Sequence, residues 1–262
     1  MTRYLRLYAH FVRFSLSRAM EFRFDFFFRV FMDGLWNVVN LLFFWLLFRH
    51  TTILGDWTFD QMVVFAAGFF IVDAVQMTFL SNNFWWFPHF VNRGDLDYYL
   101  VRPVSPLFFL SLREFAANSF LNLVIACGIL VWSIARFPAP LPASAVLLYL
   151  ALIALGCFLF YCVHMIFLIP VFWIHQGGGL RDLFWSFERY FSRPHRLFRG
   201  VVRLVLVTIL PFGLMASVPA QVLFEGLTPA LALHVAAVTA CAFGFLAWFW
   251  RRGLRAYSSA SS

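Results

Sequence analysis

Six times along this chain the sequence runs for about twenty residues with little charge, the length an α-helix needs to cross the hydrocarbon of a bilayer. The runs fall at about 26–48, 60–80, 113–135, 144–174, 200–217 and 229–250. Composition decides whether a soluble core could hide them. Of the 262 residues, 63% are hydrophobic, 12% are charged, and 37 are Phe. A soluble domain is nearer half apolar and a quarter charged, and a chain this long lacks the interior volume to cover the difference. A soluble enzyme, a disordered chain and collagen are thereby excluded. The expected fold is all-α integral membrane, a single transmembrane domain over 1–262 with six transmembrane helices.

All 20 cationic residues are Arg and none is Lys. A phosphate-binding GxxxxGK[ST] loop needs its Lys, so any ATP chemistry must sit on another chain. Cys127, Cys157, Cys162 and Cys241 lie inside apolar runs and read as buried hydrophobes rather than disulfides or metal ligands. Residues 2–24 lack the clean apolar stretch and small-residue cleavage site of a signal peptide. Their polar residues Arg3, Arg6, His10, Arg13 and Ser17 recur at helical spacing, with Leu5, Tyr8, Val12, Leu16 and Ala19 opposite. This predicts an N-terminal amphipathic helix lying in the membrane interface, the alternative being a loosely ordered basic tail.

Ala139-Pro140-Leu141-Pro142 marks a turn, Pro170 a kink near the end of the fourth run, and Gly177-Gly178-Gly179 a helix break. With these boundaries, eighteen Arg fall on one side and only Arg49 and Arg136 on the other. The positive-inside rule then places both termini and two large loops, 81–112 and 175–199, in the cytoplasm. Basic and aromatic residues alternate in the second loop. Next to membrane spans, and with a net charge of +8, this reads as contact with anionic headgroups of the lipid bilayer and not as nucleic-acid binding.

In the first loop Gly94 opens a turn, Asp95 and Asp97 suit a first helical turn, and Pro103 stops it. The expected product is a two-turn cytoplasmic helix presenting Leu96, Tyr99 and Leu100 away from the membrane. A helix of that size fits a groove on a partner, but it is equally an ordinary interfacial loop helix.

Polar residues inside spans are costly and mark function or helix–helix bonding. Arg29, Asp33, Asn37 and Asn40 share one face of the first span, where Arg29 and Asp33 are spaced to neutralise each other. Asp73 and Gln76 sit three apart on the second. Glu114, Asn118 and Asn122 share a face of the third. One reading is a translocation path whose acids favour a cationic or zwitterionic solute; the other is structural hydrogen bonding. No HExxH, no paired His ligands and no GxSxG elbow occur, so neither metal nor acyl-enzyme chemistry is indicated.

Three elements carry a resemblance. Gly94, Leu96, Leu100, Arg102, Pro103, Ser105 and Pro106 form a G-x-L-x-x-x-L-x-R-P-x-S-P pattern. Arg193-Pro194 lies in the second loop. Pro211-Phe212 and Val218-Pro219 end the fifth run. In this order the chain resembles permease subunits of ABC transporters in the type-2 exporter superfamily, a six-span bacterial branch. The resemblance implies a coupling helix that docks on a cytoplasmic ABC ATPase subunit, present in two copies, through Gly94, Asp95, Leu96, Tyr99, Leu100, Arg102 and Pro103. It implies a second permease, identical or paralogous, a bacterial plasma-membrane location, and an outer half-buried hairpin over 211–226. ATP and Mg would be bound by the ATPase and no cofactor by this chain, which would not itself be an enzyme. Two readings stand beside it. An integral-membrane lipid-modifying enzyme would use a set such as His89, Asp95 and Asp97, whose spacing matches no catalytic pattern. A secondary carrier would show repeated spans, and the halves show none.

Overall fold

The computed structural model describes residues 2–174 and 178–257. Among them the chain is helical, with one isolated bridge between Leu54 and Trp57. The helices are α1 (Thr2–Glu21), α2 (Arg23–Phe48), α3 (Phe59–Phe79), α4 (Ser81–Asn92), α5 (Asp97–Leu100), α6 (Pro106–Leu112) and α7 (Ala117–Ala135). They continue as α8 (Ala143–Leu168), α9 (Val171–Ile174), α10 (Gly178–Glu188), α11 (Gly200–Thr208), α12 (Phe212–Met215), α13 (Ser217–Glu225) and α14 (Pro229–Ala256). Five stretches are long and apolar enough to cross a membrane: Arg23–Phe48, Phe59–Phe79, Ala117–Ala135, Ala143–Ile174 and Pro229–Ala256. The protein is therefore an all-α integral membrane protein.

Helix α3 is the centre of the bundle. Every residue from Met62 to Phe70 is buried, as expected of a helix apolar on all sides. A capping box between Thr58 and Gln61 starts it. Helices α2, α7, α8 and α13 pack around it. Helix α2 behaves in the opposite way. Only Phe26, Asn37, Asn40 and Phe44 are buried, while Phe24, Phe31, Trp45 and many others are open to the surroundings. In water such a face would aggregate; here it meets lipid.

Helix α7 begins at Ala117, later than hydropathy predicts, because the three residues before it are pinned in extended form. Asn83 of α4 accepts from the Glu114 N–H and donates to its carbonyl, and the Ala116 N–H donates to the Thr78 carbonyl. Pro170 separates α8 from α9 where its missing N–H ends the ladder. Pro142 precedes α8, closing the predicted Pro-rich turn. Of the expected glycine break, Gly177 lies outside the described residues, whereas Gly178 and Gly179 open α10.

The bundle has two ends. At the near end lie α1, α4 to α6, α9 and the close of α14, where Phe172 packs on Phe87, Trp250 and Tyr257. At the far end lie the α2–α3 and α7–α8 loops, where Phe224 packs on Trp57 and Phe137.

This frame overturns one sequence expectation. The described part of the 175–199 stretch, 178–199, is not a loop confined to one end. From the near end it climbs past Phe167 and His164 at Phe184, meets Phe69 and Phe160 at Phe191, and reaches the far end at Arg196. There Arg196 pairs with Glu225 at 2.5 Å and with Asp56 at 4.0 Å, and Leu197 packs on Gly55. Arg196 therefore belongs with Arg49 and Arg136, and the expected eighteen-to-two arginine split does not hold.

Residues 200–217, expected as the fifth span, are broken. Helix α11 descends from the far end, Pro211 interrupts it, and α12 and α13 turn back toward Glu225. All residues from Pro211 to Ala220 are buried. This hairpin is apolar because protein surrounds it, with α8 against α12 and α13 and with α3 behind. Gly156 makes the contact possible. A Cβ there would lie 2.2 Å from the Met215 carbonyl oxygen.

Helix α1 has three faces rather than two. Ser15 is buried, with Leu7, Tyr8, Phe11, Val12 and Ala19 half-buried beside it, whereas Leu5 and Leu16 are exposed. The Ser15 hydroxyl accepts from the Phe115 N–H, and that polar anchor turns the helix away from the purely apolar face. The cysteines also divide. Cys162 is buried and Cys157 half-buried, but Cys127 and Cys241 lie on outward faces of α7 and α14.

Candidate functional site

A single large cavity of about 1320 Å³ opens between α2 and the climbing stretch that follows α10, with α3 and α7 as its floor. Its lining mixes polar and charged groups with aromatic and other apolar side chains such as Phe69, Met77 and Trp185. Asp33 and Asn40 of α2, Asp73 of α3, and Asn118 and Asn122 of α7 face it, opposite Glu188, Arg189 and Arg193. Asp33 Oδ2 is buried without a hydrogen-bond partner, and Asn118 Nδ2 donates to the Ser119 hydroxyl at 3.2 Å. Asp73 has no hydrogen-bond or ion-pair partner among the described residues, and it lies within electrostatic reach of Asp33 and Glu188. Uncompensated carboxylates at bundle depth are expensive, so a chain that keeps them in a cavity keeps them for contact with water or solute.

The remaining polar residues of the spans hold helices together. Asn37 Nδ2 donates to Asn122 Oδ1 at 2.8 Å, joining α2 to α7. Gln76 points away from the cavity, 2.9 Å from His164 Nδ1. The His164 ring stacks on Phe184 with centroids 3.9 Å apart where α10 leans on α8; the Gln76 Nε2 meets the imidazole, while its Oε1 is buried without a hydrogen-bond partner. Glu114 lies at the near end, paired with both Arg18 and Arg113, and binds α1 to the root of α7. Arg29 pairs with Asp25 at 2.8 Å and not with Asp33. The preceding turn, at the water-facing start of α2, offers the less costly partner.

Sequence reasoning missed Glu188, Arg189 and Arg193 as lining residues. Their signal was present in the basic–aromatic alternation of 180–199. Phe184, Phe187 and Phe191 turn toward α8 while the charged residues turn to the cavity. Arg193 closes the far side with its guanidinium 4.1 Å from the Phe43 ring centroid of α2.

The near-end loop is built on Gly94, whose φ of +79° lets the chain reverse after α4. Helix α5 is one turn, not the expected two. Leu96 is 0% exposed, packed with the cluster of Phe87, Phe172 and Trp250. Tyr99 is half-buried, its hydroxyl accepting from Arg113 at 2.7 Å. The expectation that Leu96 and Tyr99 face outward is therefore corrected: they anchor the loop. Tyr98 at 69%, Val101 at 83% and Leu100 at 39% exposure form the outward face. Arg102 and Pro103 follow it, exposed. Ser105 caps α6 through the Phe108 N–H, and Pro106 takes its first position.

At the far end the hairpin is tied by His195. Ser217 Oγ accepts from the His195 N–H at 3.1 Å and lies 2.6 Å from His195 Nδ1. With the ring neutral and its proton on Nε2, Nδ1 accepts from the hydroxyl. Burial, with Arg203 and Arg196 nearby, lowers its pKa to about 4. A folded pKa below the unfolded value of 6.5 contributes stability that is complete above pH 6.5 and fades as pH falls toward 4. The thermal midpoint of the purified protein is expected to drop across that window. His195→Asn, whose Oδ1 still accepts from Ser217, is expected to flatten that part of the drop.

A cluster of three or more His, Cys, Asp or Glu able to hold a metal ion is absent among the described residues. A family model described as an ABC-2 family transporter protein matches residues 35–261. It begins within α2 and takes in the loop, the climbing stretch and the hairpin; α1 and Asp33 precede it. No curated protein and no solved structure matches the chain. The chain is thus a membrane component of a transporter, and it belongs to the ABC-2 family.

Proposed function

We propose that this protein is the permease subunit of an ATP-driven exporter and that the groove between α2 and the post-α10 stretch is one half of its translocation path. The observation that carries the reading is the groove itself: a cavity of about 1320 Å³ at the edge of an apolar bundle, lined by charged and amide side chains among apolar ones. Residues 178–194 act as the sixth crossing, shielded by α8 on one side and facing the groove on the other. Six crossings put both ends of the chain on one side, the cytoplasm, with the arginine-rich near end on the inner leaflet of the bacterial plasma membrane. A second permease, identical or paralogous, faces this groove and completes the path.

Asp33, Asn40, Asp73 and Asn118 contact the solute, with Glu188 and Arg189 opposite. Carboxylates and guanidinium groups together suit a zwitterionic or cationic solute. Asn37, Gln76 and Glu114 hold the frame. The Gly94–Pro103 loop docks on a cytoplasmic ATPase, which binds ATP and Mg. This chain has no lysine loop for them.

Affinity purification in mild detergent tests the reading. The expected result is an ATP-binding subunit that copurifies with the permease, two copies per pair of permeases. Transport by this chain alone in ATP-free proteoliposomes would show a secondary carrier instead. Lipid turnover without nucleotide would show a membrane enzyme.

A further inference from the structure

At the near end a second, smaller cavity of about 440 Å³ lies between α1 and the segment after α5. Arg3, Arg6 and His10 line it from α1, one helical turn apart, and Arg102 lines it from the loop. Leu7 and Phe109 form its apolar side. No lining residue is acidic. Arg3, Arg6 and His10 have no ion-pair partner among the described residues, and Arg102 rests only against the Phe109 ring at 5.8 Å. The acids of the same loop turn elsewhere: Asp95 and Asp97 lie near Tyr257 at the end of α14. The two walls are fixed to each other. The Tyr4 hydroxyl accepts from the Ser105 N–H at 3.2 Å, Tyr4 meets Phe108 edge-on, and Phe11 meets Phe109 in the same way. Leu5, Phe14 and Leu16 are exposed on α1, which sets this helix at the level where acyl chains give way to headgroups.

We infer that this groove is a binding site for the phosphodiester headgroup of an anionic phospholipid, held between the Arg3–Arg6–His10 face of α1 and Arg102 of the coupling loop. Unpaired cations around a pocket with an apolar side match a phosphate joined to acyl chains; a free anion would leave Leu7 and Phe109 without a partner. The bound lipid bridges α1 to the loop that carries Tyr98 and Val101. The inference rests on α1 lying at the membrane surface and is independent of transport.

The test titrates the full-length, detergent-solubilised protein with short-chain phosphatidylglycerol or phosphatidylcholine and counts bound lipid by native mass spectrometry. All three arginines are exposed, so neutralising them leaves the core intact. The wild type is expected to prefer phosphatidylglycerol. Arg6→Gln with Arg102→Gln is expected to weaken that binding about 25-fold, at roughly fivefold for each charge lost beside an anionic headgroup. Arg13→Gln with Arg23→Gln removes as much charge from nearby positions outside the groove and is expected to leave binding unchanged. Arg6→Lys with Arg102→Lys retains it. Equal losses in the two glutamine pairs would reduce the site to diffuse attraction and overturn the inference. No loss in either pair, or displacement of the lipid by an equal concentration of inorganic phosphate, would do the same. Loss of this lipid with copurification of an ATPase intact would separate the failure from that of the transport reading.

Discussion

Gly156→Ala is expected to lower the stability of the purified protein by about 3 kcal/mol, the upper range for forcing a methyl group into a close-packed interior. The added Cβ would lie 2.2 Å from the carbonyl oxygen of Met215 and within 3 Å of its carbonyl carbon and Cα. These are backbone atoms, and Met215 sits inside a hairpin whose neighbours are all buried, so no side chain can swing aside to make room. In a chain of this length that loss corresponds to roughly 6–12 °C in the thermal midpoint. Gly128→Ala and Gly244→Ala are the controls. Both sit in helices with open space at the Cβ position, and removing a helical glycine there is expected to be neutral or slightly stabilising. A Gly156→Ala protein as stable as these controls would show that the hairpin does not press on α8.

Tyr98→Asp combined with Val101→Asp is expected to abolish ATP-driven transport while the protein still inserts, folds and keeps its thermal midpoint. Both side chains are mostly exposed and stand on the outward face of α5. Two carboxylates on a docking surface remove its apolar contact and must be desolvated to bind, a cost of several kcal/mol against the transient interface a coupling loop makes. Leu96→Asp serves as the contrast. Leu96 is fully buried among Phe87, Phe172 and Trp250, so a charge there is expected to unfold the near end and lower the yield of protein. If Tyr98→Asp with Val101→Asp copurifies normally with an ATPase and transports at the wild-type rate, the coupling face lies elsewhere.

The sequence made the five long spans legible, every end but the last within four residues, because a twenty-residue apolar run has few alternatives. The stretch 178–194, proposed as the sixth crossing, was hidden by its two unlike faces. Arg189 and Arg193 face a cavity and Phe184 and Phe191 face α8, so average hydropathy falls and the arginines read as a cytoplasmic loop. Conversely, 200–217 read as a span because its second half, wrapped in protein, is as apolar as a segment wrapped in lipid. Asp33, Asp73 and Asn118 were visible as groove residues because a polar group in a span demands a reason. Gln76 gave the same signal for another reason. Its partner His164 lies 88 positions away, and no local pattern reports such a meeting. In the near-end loop the spacing found the right helix and the wrong face. An i, i+3, i+4 set is the same whether it points into a core or out of it.

The ion pairs of Arg196 carry a mechanical corollary. One guanidinium grips the turn between the first two spans and the tip of the hairpin, at the point where the polar crossing emerges. Three parts of the outer rim are thus clasped by a single hand. Any widening at that rim must lift them as one lid or first release the clasp.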